Sequence, residues 1–354
     1  MMSPKKQILF IVNPISGTQD KEGILKLIEE NIDREKFDIT ISKTQYAGHA
    51  FEIAGEAAKK NVDFVVAIGG DGTINEIGRA LIHTNTTLGI IPCGSGNGLA
   101  RHLHIPMDPE KAISVINEAF VKRIDYGIIA EHPFFCTCGV GFDAFVSLKF
   151  ADSGKRGLLS YLENTLQESL TYKPETYEIE NSNGTVKYNA FLIACANAAQ
   201  YGNNAYIAPQ ASLTDGMMDI TVLEPFTVLD VPSLSFQLFN KTLDQNSRIK
   251  TMRDKKIIIH RAKEGVFHFD GDPTMGGKDL EVEIIPEGIS VIAPEKPTPD
   301  ITPFNWAHIV NEFIQKQPIT TAISERHKQL TRLNKQVLRH IKSRKRFNGP
   351  DKNL

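Results

Sequence analysis

Residues 63–76, Asp63-Phe64-Val65-Val66-Ala67-Ile68-Gly69-Gly70-Asp71-Gly72-Thr73-Ile74-Asn75-Glu76, decide how the chain reads. The apolar run DFVVAI has the length of a strand and stops at a glycine pair, which marks a buried strand. Helical spacing begins at Ile74 and runs to Ile82. Between the two lie three glycines and one acid. Glycine lets a backbone turn sharply and approach a ligand with no Cβ in the way. The free N–H groups of a helix's first turn favour an anion such as phosphate. Asp71 adds a carboxylate suited to Mg²⁺ or its bound waters. The spacing matches neither the P-loop nor the dinucleotide fingerprint.

Outward from this stretch the same alternation repeats. Residues 7–13 (QILFIVN), 37–43 and 87–91 read as strands, and 21–31 and 47–61 as helices. Strand and helix in alternation predict an α/β domain with a doubly wound parallel sheet. After Gly127 the pattern changes to short strands at 128–130, 134–140, 176–180, 189–196, 218–223, 256–261, 265–269, 280–285 and 289–293. Helices interrupt them near 158–170 and 229–238. This half is expected to be a mostly antiparallel β-sandwich. Residues 295–303 (EKPTPDITP) form a linker before helical segments near 305–315 and 319–346. Three parts follow: 1–127 as a nucleotide-binding α/β domain, 128–294 as a β-rich substrate domain, and 295–354 as a linker with a basic helical extension.

Composition narrows the class. Of 354 residues, 41% are hydrophobic and 23% charged, ordinary for a globular protein. No apolar run reaches the roughly 18 residues of a membrane-spanning helix. Residues 1–7 are polar and lack the apolar core of a signal peptide. The expectation is a cytoplasmic protein that meets membranes only peripherally. The four cysteines form no CxxC pair and have no histidine at zinc spacing, so they read as buried small apolar residues. Cys136 and Cys138 alternate and are expected on one strand face. The ten histidines show no ligand spacing and read as packing or surface residues.

Several loops carry short polar side chains where strands end. Asn13-Pro14-Ile15-Ser16-Gly17 follows the first strand, and Pro92-Cys93-Gly94-Ser95-Gly96-Asn97 the fourth. Ligands of open α/β sheets collect at the carboxyl ends of the strands. In order along the chain, the first loop, the GGDGT stretch, the 92–97 loop and Arg123-Ile124-Asp125-Tyr126-Gly127 resemble the signature of the diacylglycerol kinase family, which also includes sphingosine and ceramide kinases. The resemblance spans about residues 7–294. It implies ATP and Mg²⁺ as cofactors and a lipid hydroxyl as phosphate acceptor. It implies nucleotide contacts from Asn13, Pro14, Ser16, Gly17, Thr44, Gly69, Gly70, Asp71, Gly72, Thr73, Asn75, Glu76 and Ser95.

Phe267-His268-Phe269-Asp270-Gly271-Asp272 puts two acids at a strand end, where a carboxylate can take the proton of an attacking hydroxyl. The segment is similar to the family's DGE motif, with Asp272 where glutamate is usual. Asp270, Asp272 and Asp71 all stand as candidate bases. Ser212 to Asp219 resembles the family's L-x-D-G-x-x-D segment, which implies a metal held by Asp215 and the carbonyls of Ser212 and Met217. An Asp-Gly turn before a strand needs no metal, so both readings stay open. The resemblance also implies Asp71 and Asp125 as acids of a metal network. The chain departs from many bacterial diacylglycerol kinases at Gly98, where they carry aspartate; the loop GSGNGLA looks more like sphingosine and ceramide kinases. Residues 197–209 (NAAQYGNNAYIAP) resemble a segment beside the family's cleft.

Net charge is −2, but residues 322–354 hold ten Lys/Arg against two Asp/Glu, which leaves −10 on the remainder. Leu330, Leu333, Val337, Leu338 and Ile341 lie at helical spacing within this basic run. Such a helix suits an anionic membrane surface or the protein's own surface. No nucleic-acid partner is expected, because no reader motif is present. A homodimer is allowed by the sequence but not specified by it. Two rival functions share the GGDGT loop: an NAD kinase-like enzyme, and a non-catalytic lipid-binding regulator on the same scaffold.

Overall fold

The computed structural model describes residues 4–17, 19–153, 172–227 and 229–296. The expected helix at 158–170 and the segments at 305–315 and 319–346 lie outside them. Among the described residues no helix is long and apolar enough to cross a membrane.

Strands β1 (Lys6–Val12), β2 (Phe37–Lys43), β3 (Phe64–Gly69) and β4 (Thr87–Pro92) pair in parallel in the order β2-β1-β3-β4. β3 and β4 are buried along their whole length, which explains their unbroken apolar runs. Helices α1 (Lys21–Asn31), α2 (His49–Lys59), α3 (Asp71–Leu81), α4 (Gly98–His102) and α5 (Pro109–Glu118) complete the α/β half. The chain leaves β1 toward β2 and leaves β3 toward β4. The switch point of the sheet therefore lies between the carboxyl ends of β1 and β3, where a crevice forms. Asn13 and Gly70 flank it.

The second half is antiparallel. Strands β7 (Thr137–Gly141), β10 (Leu192–Ala196), β11 (Met218–Leu223), β12 (Ile249–Asp254), β14 (Gly265–Phe269) and β15 (Asp272–Gly276) form one sheet in the order β12-β11-β10-β7-β14-β15. Facing it are β5 (Val121–Ile129), β6 (His132–Phe134), β8 (Glu175–Asn181), β9 (Gly184–Ala190), β13 (Lys256–Arg261) and β16 (Asp279–Ile292), which continue the first sheet. The sandwich core contains Phe134, Val140, Ile193, Ile220, Ile259, Phe267 and Val282. Helices α6 (Phe142–Ser153) and α7 (Val231–Phe239) belong to the same half, and an apolar cluster that includes Phe142, Phe191 and Leu234 covers the outer face of the second sheet.

β5 and β16 form the spine shared by both halves. The expected border at 127 and 128 falls inside β5, which pairs with β16 on both sides of it. β16 gives Leu280, Val282 and Ile284 to the sandwich core, and Ile289, Val291 and Ile292 to the α/β core. The register shifts between Ile285 and Ile289, so the two runs read as separate strands at 280–285 and 289–293 form one irregular strand. Residues 189–196, read as one strand, split into β9 and β10.

All four cysteines are buried and free. Cys136 and Cys138 do not share a face: Cys136 packs in the α/β core and Cys138 in the sandwich core. The strand begins only at Thr137, and the backbone at Cys136 is turned toward Asp270.

Candidate active site

The phosphate-type loops interlock by direct contact. Asn13 Nδ2 donates to Thr73 Oγ1 at 3.0 Å, across the switch point. The Asn13 turn is closed by its own groups: Ile15 N–H donates to Asn13 Oδ1, and Ser16 Oγ to the Asn13 carbonyl. Thr44 is buried at the end of β2 and donates its N–H to the Val12 carbonyl, so it lies beside Asn13. Pro14 and Ser95 are exposed at the rim, while Ser16 and Gly17 are half-buried.

Three close approaches require glycine. Gly17 has φ +62°, and a Cβ there would lie 1.7 Å from the Cys93 carbonyl oxygen. A Cβ on Gly94 would lie 2.7 Å from the Gly70 Cα, and one on Gly69 would meet the Thr73 side chain at 2.6 Å. Gly72 differs. A Cβ there meets nothing within 4 Å, although glycine in a helix costs about 0.5–1 kcal/mol relative to alanine. The fold does not need a glycine at this position. A ligand approaching the first turn of α3 would.

Asp71 opens α3, with Gly70 as N-cap. Its carboxylate accepts the Asn97 N–H at 2.8 Å and the Gly98 N–H at 2.7 Å, which fastens the helix start to the 94–98 loop. Burial raises its pKa, the two N–H groups oppose that, and the nearby Asp270 adds to the rise.

The second half contributes the turn at Asp270. Three successive N–H groups converge on this one carboxylate: Phe135 at 2.8 Å, Cys136 at 2.7 Å and Thr137 at 3.2 Å. In an extended strand successive N–H groups point to opposite sides, so this is an anion-binding turn built from backbone. The fourth donor is Asn75 Nδ2 at 2.8 Å, from the α3 helix that begins at Asp71. Asp270 itself has φ +47°, a conformation that Asp and Asn tolerate better than other side chains. Burial raises its pKa against the pull of these donors.

Asp272 starts β15. No hydrogen bond of its carboxyl exists among the described residues. Desolvation by the surrounding protein raises its pKa first; Asp270 adds to the rise, and Arg79 opposes it. The residue as a whole is exposed, so solvent keeps this shift modest. Asp71, Asp270 and Asp272 thus share one electrostatic neighbourhood.

Other predicted residues are held by contacts within the fold. Both Glu76 oxygens accept backbone N–H groups at the start of α2, from Gly48 at 3.0 Å and Ala50 at 3.2 Å. Asp125 is buried and accepts the N–H groups of Gly216 and Glu287, while its own N–H goes to Leu213. It braces the 212–217 loop. Asp215 takes the Met217 N–H and pairs with the Arg253 guanidinium. Ser212 Oγ accepts the Thr214 N–H at 3.3 Å.

Among the described residues no three acids, histidines or cysteines form a metal cage. Mg²⁺ that arrives with a nucleotide needs none, because it keeps waters and takes phosphate oxygens. The buried Asn75 Oδ1 has no partner in the protein, and it lies beside the Asp270 carboxylate that its own Nδ2 contacts. Asn75 Oδ1 and the Asp71 and Asp270 carboxylates are oxygen donors of the kind Mg²⁺ takes. The 212–217 loop fits it less well, since Arg253 already neutralises Asp215.

Sequence reasoning missed the bond between Asn75 and Asp270, the convergence of the 135–137 backbone, and a buried contact between His268 and Asp143. The last was legible only as one histidine among ten.

Comparison with known proteins follows the same division. Residues 7–129 match the diacylglycerol kinase catalytic domain, and residues 136–293 the YegS C-terminal NAD kinase beta sandwich-like domain. The protein named "Probable lipid kinase YegS" of Salmonella arizonae is 29% identical over 287 residues, covering 78% of this chain and 93% of its own. An uncharacterized Synechocystis protein is 29% identical over 305 residues, covering 80% of this chain and 69% of its own. A Bacillus anthracis crystal structure, described as a diacylglycerol kinase, superposes with a TM-score of 0.65 at 21% identity. It covers 84% of this chain and 100% of that one, and shows a shared two-domain fold.

Proposed function

We propose that this chain, which belongs to the diacylglycerol kinase catalytic-domain family, transfers the γ-phosphate of ATP to a hydroxyl group of a lipid. One observation carries the reading. The 2.8 Å bond from Asn75 to Asp270 sets the acid turn of the second half against the helix that starts at Asp71. A phosphate-binding corner and a proton-accepting corner then stand side by side, as transfer between two bound substrates requires. The name of the Salmonella relative supports a lipid as the acceptor.

The roles divide by hydrogen bonding. A carboxylate whose oxygens already hold four N–H donors is a poor proton acceptor, so Asp270 anchors the turn. Asp272, free of such donors and raised in pKa, takes the proton as the hydroxyl oxygen attacks the γ-phosphorus and ADP leaves. The α3 start, the Asn13 turn and the 94–98 loop orient the phosphates, and Ser95 and Thr44 line the nucleotide's rim. Asp71 and Asn75 Oδ1 would hold the Mg²⁺ of Mg·ATP, which neutralises charge on the phosphates when bound.

The test is transfer of labelled γ-phosphate from Mg·ATP to diacylglycerol, sphingoid bases and ceramide, with NAD as control and Asp71→Ala beside the wild type. Transfer to a lipid, lost in the variant, is expected. Transfer to NAD alone would replace the lipid reading with the NAD kinase-like one. ATP binding with no transfer to any acceptor would favour the regulator.

A further inference from the structure

We propose that Asp143 is a positioning residue: it ties the turn carrying Asp270 and Asp272 to the phosphate loop at Gly98, through His268 on one side and Tyr201 on the other. The kinetic consequence rests on the lipid-kinase reading; the linkage itself does not.

His268 lies between Phe267 and Phe269 on β14 and points away from the sandwich core that they fill. It is 1% exposed. Its Nδ1 accepts the Gly271 N–H at 3.4 Å, which leaves the proton on Nε2. Nε2 sits 2.8 Å from Asp143 Oδ2, but the N–H is not aimed at that oxygen, so the contact is electrostatic rather than a directed hydrogen bond. Tyr201 Oη donates to the same oxygen at 2.8 Å. Asp143 is buried in the first turn of α6, which packs on β14 and β15.

The far end of the path reaches the other catalytic corner. The Tyr201 carbonyl lies against Gly98, where a Cβ would be 3.1 Å from it. Gly202 bridges to Asn97, and Asn203 N–H donates to the Gly96 carbonyl at 3.0 Å. Asn97 and Gly98 are the residues whose N–H groups hold Asp71. A continuous path therefore runs from Gly271 through His268, Asp143 and Tyr201 to Asp71.

A second observation shows that the backbone makes room for this cluster. A Cβ at Gly139 on β7 would stand 2.8 Å from Asp143 Oδ2 and 3.1 Å from His268 Nε2. Burying a carboxylate, an imidazole and a phenol beside Phe142 and Phe191 gains little stability over apolar packing of the same volume. Fixing the relative position of two acids that must act on one phosphate is a return that apolar packing does not give.

The experiment compares Asp143→Asn, Tyr201→Phe and the double variant. Asp143→Asn keeps the shape and removes the charge; Tyr201→Phe removes one hydroxyl and leaves the ring, so it folds even if the first does not. Lipid-kinase kcat is expected to fall about 10–100-fold in Asp143→Asn with KM for ATP nearly unchanged, as for misplacement rather than lost binding. The double variant should be no slower than Asp143→Asn alone, because both act along one path. Amide exchange is the readout independent of substrate. Asp143→Asn should speed exchange both at Gly271 and at Asn97 and Gly98. Faster exchange confined to α6, or strictly additive kinetic losses, would overturn the linkage. If the wild type phosphorylates no lipid, the kinase reading fails and the exchange pattern alone decides the linkage.

Discussion

Asp270→Asn tests whether the acid turn is held by charge and four donors or merely decorates a loop. Asparagine is nearly isosteric and also tolerates the φ of +47°, so the backbone bears no new strain. The amide offers one acceptor oxygen where the carboxylate has two. If that oxygen serves Cys136 and Thr137, then Phe135 N–H and Asn75 Nδ2 face an NH₂ group; the opposite rotamer strands the other pair. Each stranded buried donor costs about 1–3 kcal/mol. Two of them cost about 2–6 kcal/mol, and removing a desolvated charge returns part of that. A net loss near 3 kcal/mol is large against a typical total of about 5–15 kcal/mol. It corresponds to a fall in Tm of about 6–12 °C for a domain-sized unit. Chemical denaturation of the wild type, Asp270→Asn, Asn75→Ala and the double variant measures it, with Asn75→Ala isolating the cross-domain bond. A midpoint for Asp270→Asn within about 0.5 kcal/mol of the wild type would refute the four-donor account.

Gly72→Ala should leave stability unchanged or raise it by up to about 1 kcal/mol, while weakening ATP binding at least roughly tenfold by calorimetry. Gly94→Ala, forced against the Gly70 Cα, should lose both; equal ATP affinity in Gly72→Ala and wild type would remove the phosphate from the α3 start. Asp272 must be ionised to act, and desolvation raises its pKa above that of a free aspartate, so kcat should fall as pH drops at a higher pH than a free aspartate would give. Because the raised pKa means that the fold disfavours the charged form, Asp272→Asn should abolish turnover yet slightly raise the Tm at neutral pH. A pH–rate profile flat down to pH about 4, or a Tm lowered by the substitution, would exclude that role. With Arg253 on Asp215, chelating divalent ions from the nucleotide-free protein should not move the Tm, whereas Arg253→Ala should gain stability on adding Mg²⁺; a wild-type Tm that drops on chelation would restore the metal at the 212–217 loop.

The parallel half was legible because its signals are local. An unbroken apolar run such as 64–68 and a helical stripe such as 74–81 each state their period within a dozen residues. What escaped lacked a period or hid behind a weak one. Residues 142–153 (FDAFVSLKFADS) set Asp143 and Ser147 among apolar residues without a helical stripe, so no period marks α6. Helix α5 carries end signals, Asp108 as N-cap to the Lys111 N–H and Pro109 at the first position, but its ten residues give little room for a period to show. Short β12 and β15 lie on the outer edges of their sheet, half exposed, where apolar alternation fades.

The candidate residues were legible one by one, but the contacts that join them were not. Asp71, Asp270 and Asp272 read alike as acids beside glycine; the donors on Asp71 and Asp270, and their absence at Asp272 among the described residues, are what suggest the proposed anchor and base, and those donors lie far away in sequence. Asn75 and Asp270 are 195 positions apart. Gly98 shows the same limit. In the sequence it is a missing carboxylate. In the structure its N–H still serves Asp71 at 2.7 Å, while the space a side chain would take lies against the Tyr201 carbonyl and Cys136 Sγ, at 3.1 and 3.3 Å. Restoring the aspartate would therefore press the 201–203 loop outward and set a new negative charge beside Asp71, whose pKa burial already raises. The glycine is the complement of a loop that closes from the other half of the molecule. Its meaning depends on Tyr201, which no reading of residues 92–98 alone could supply.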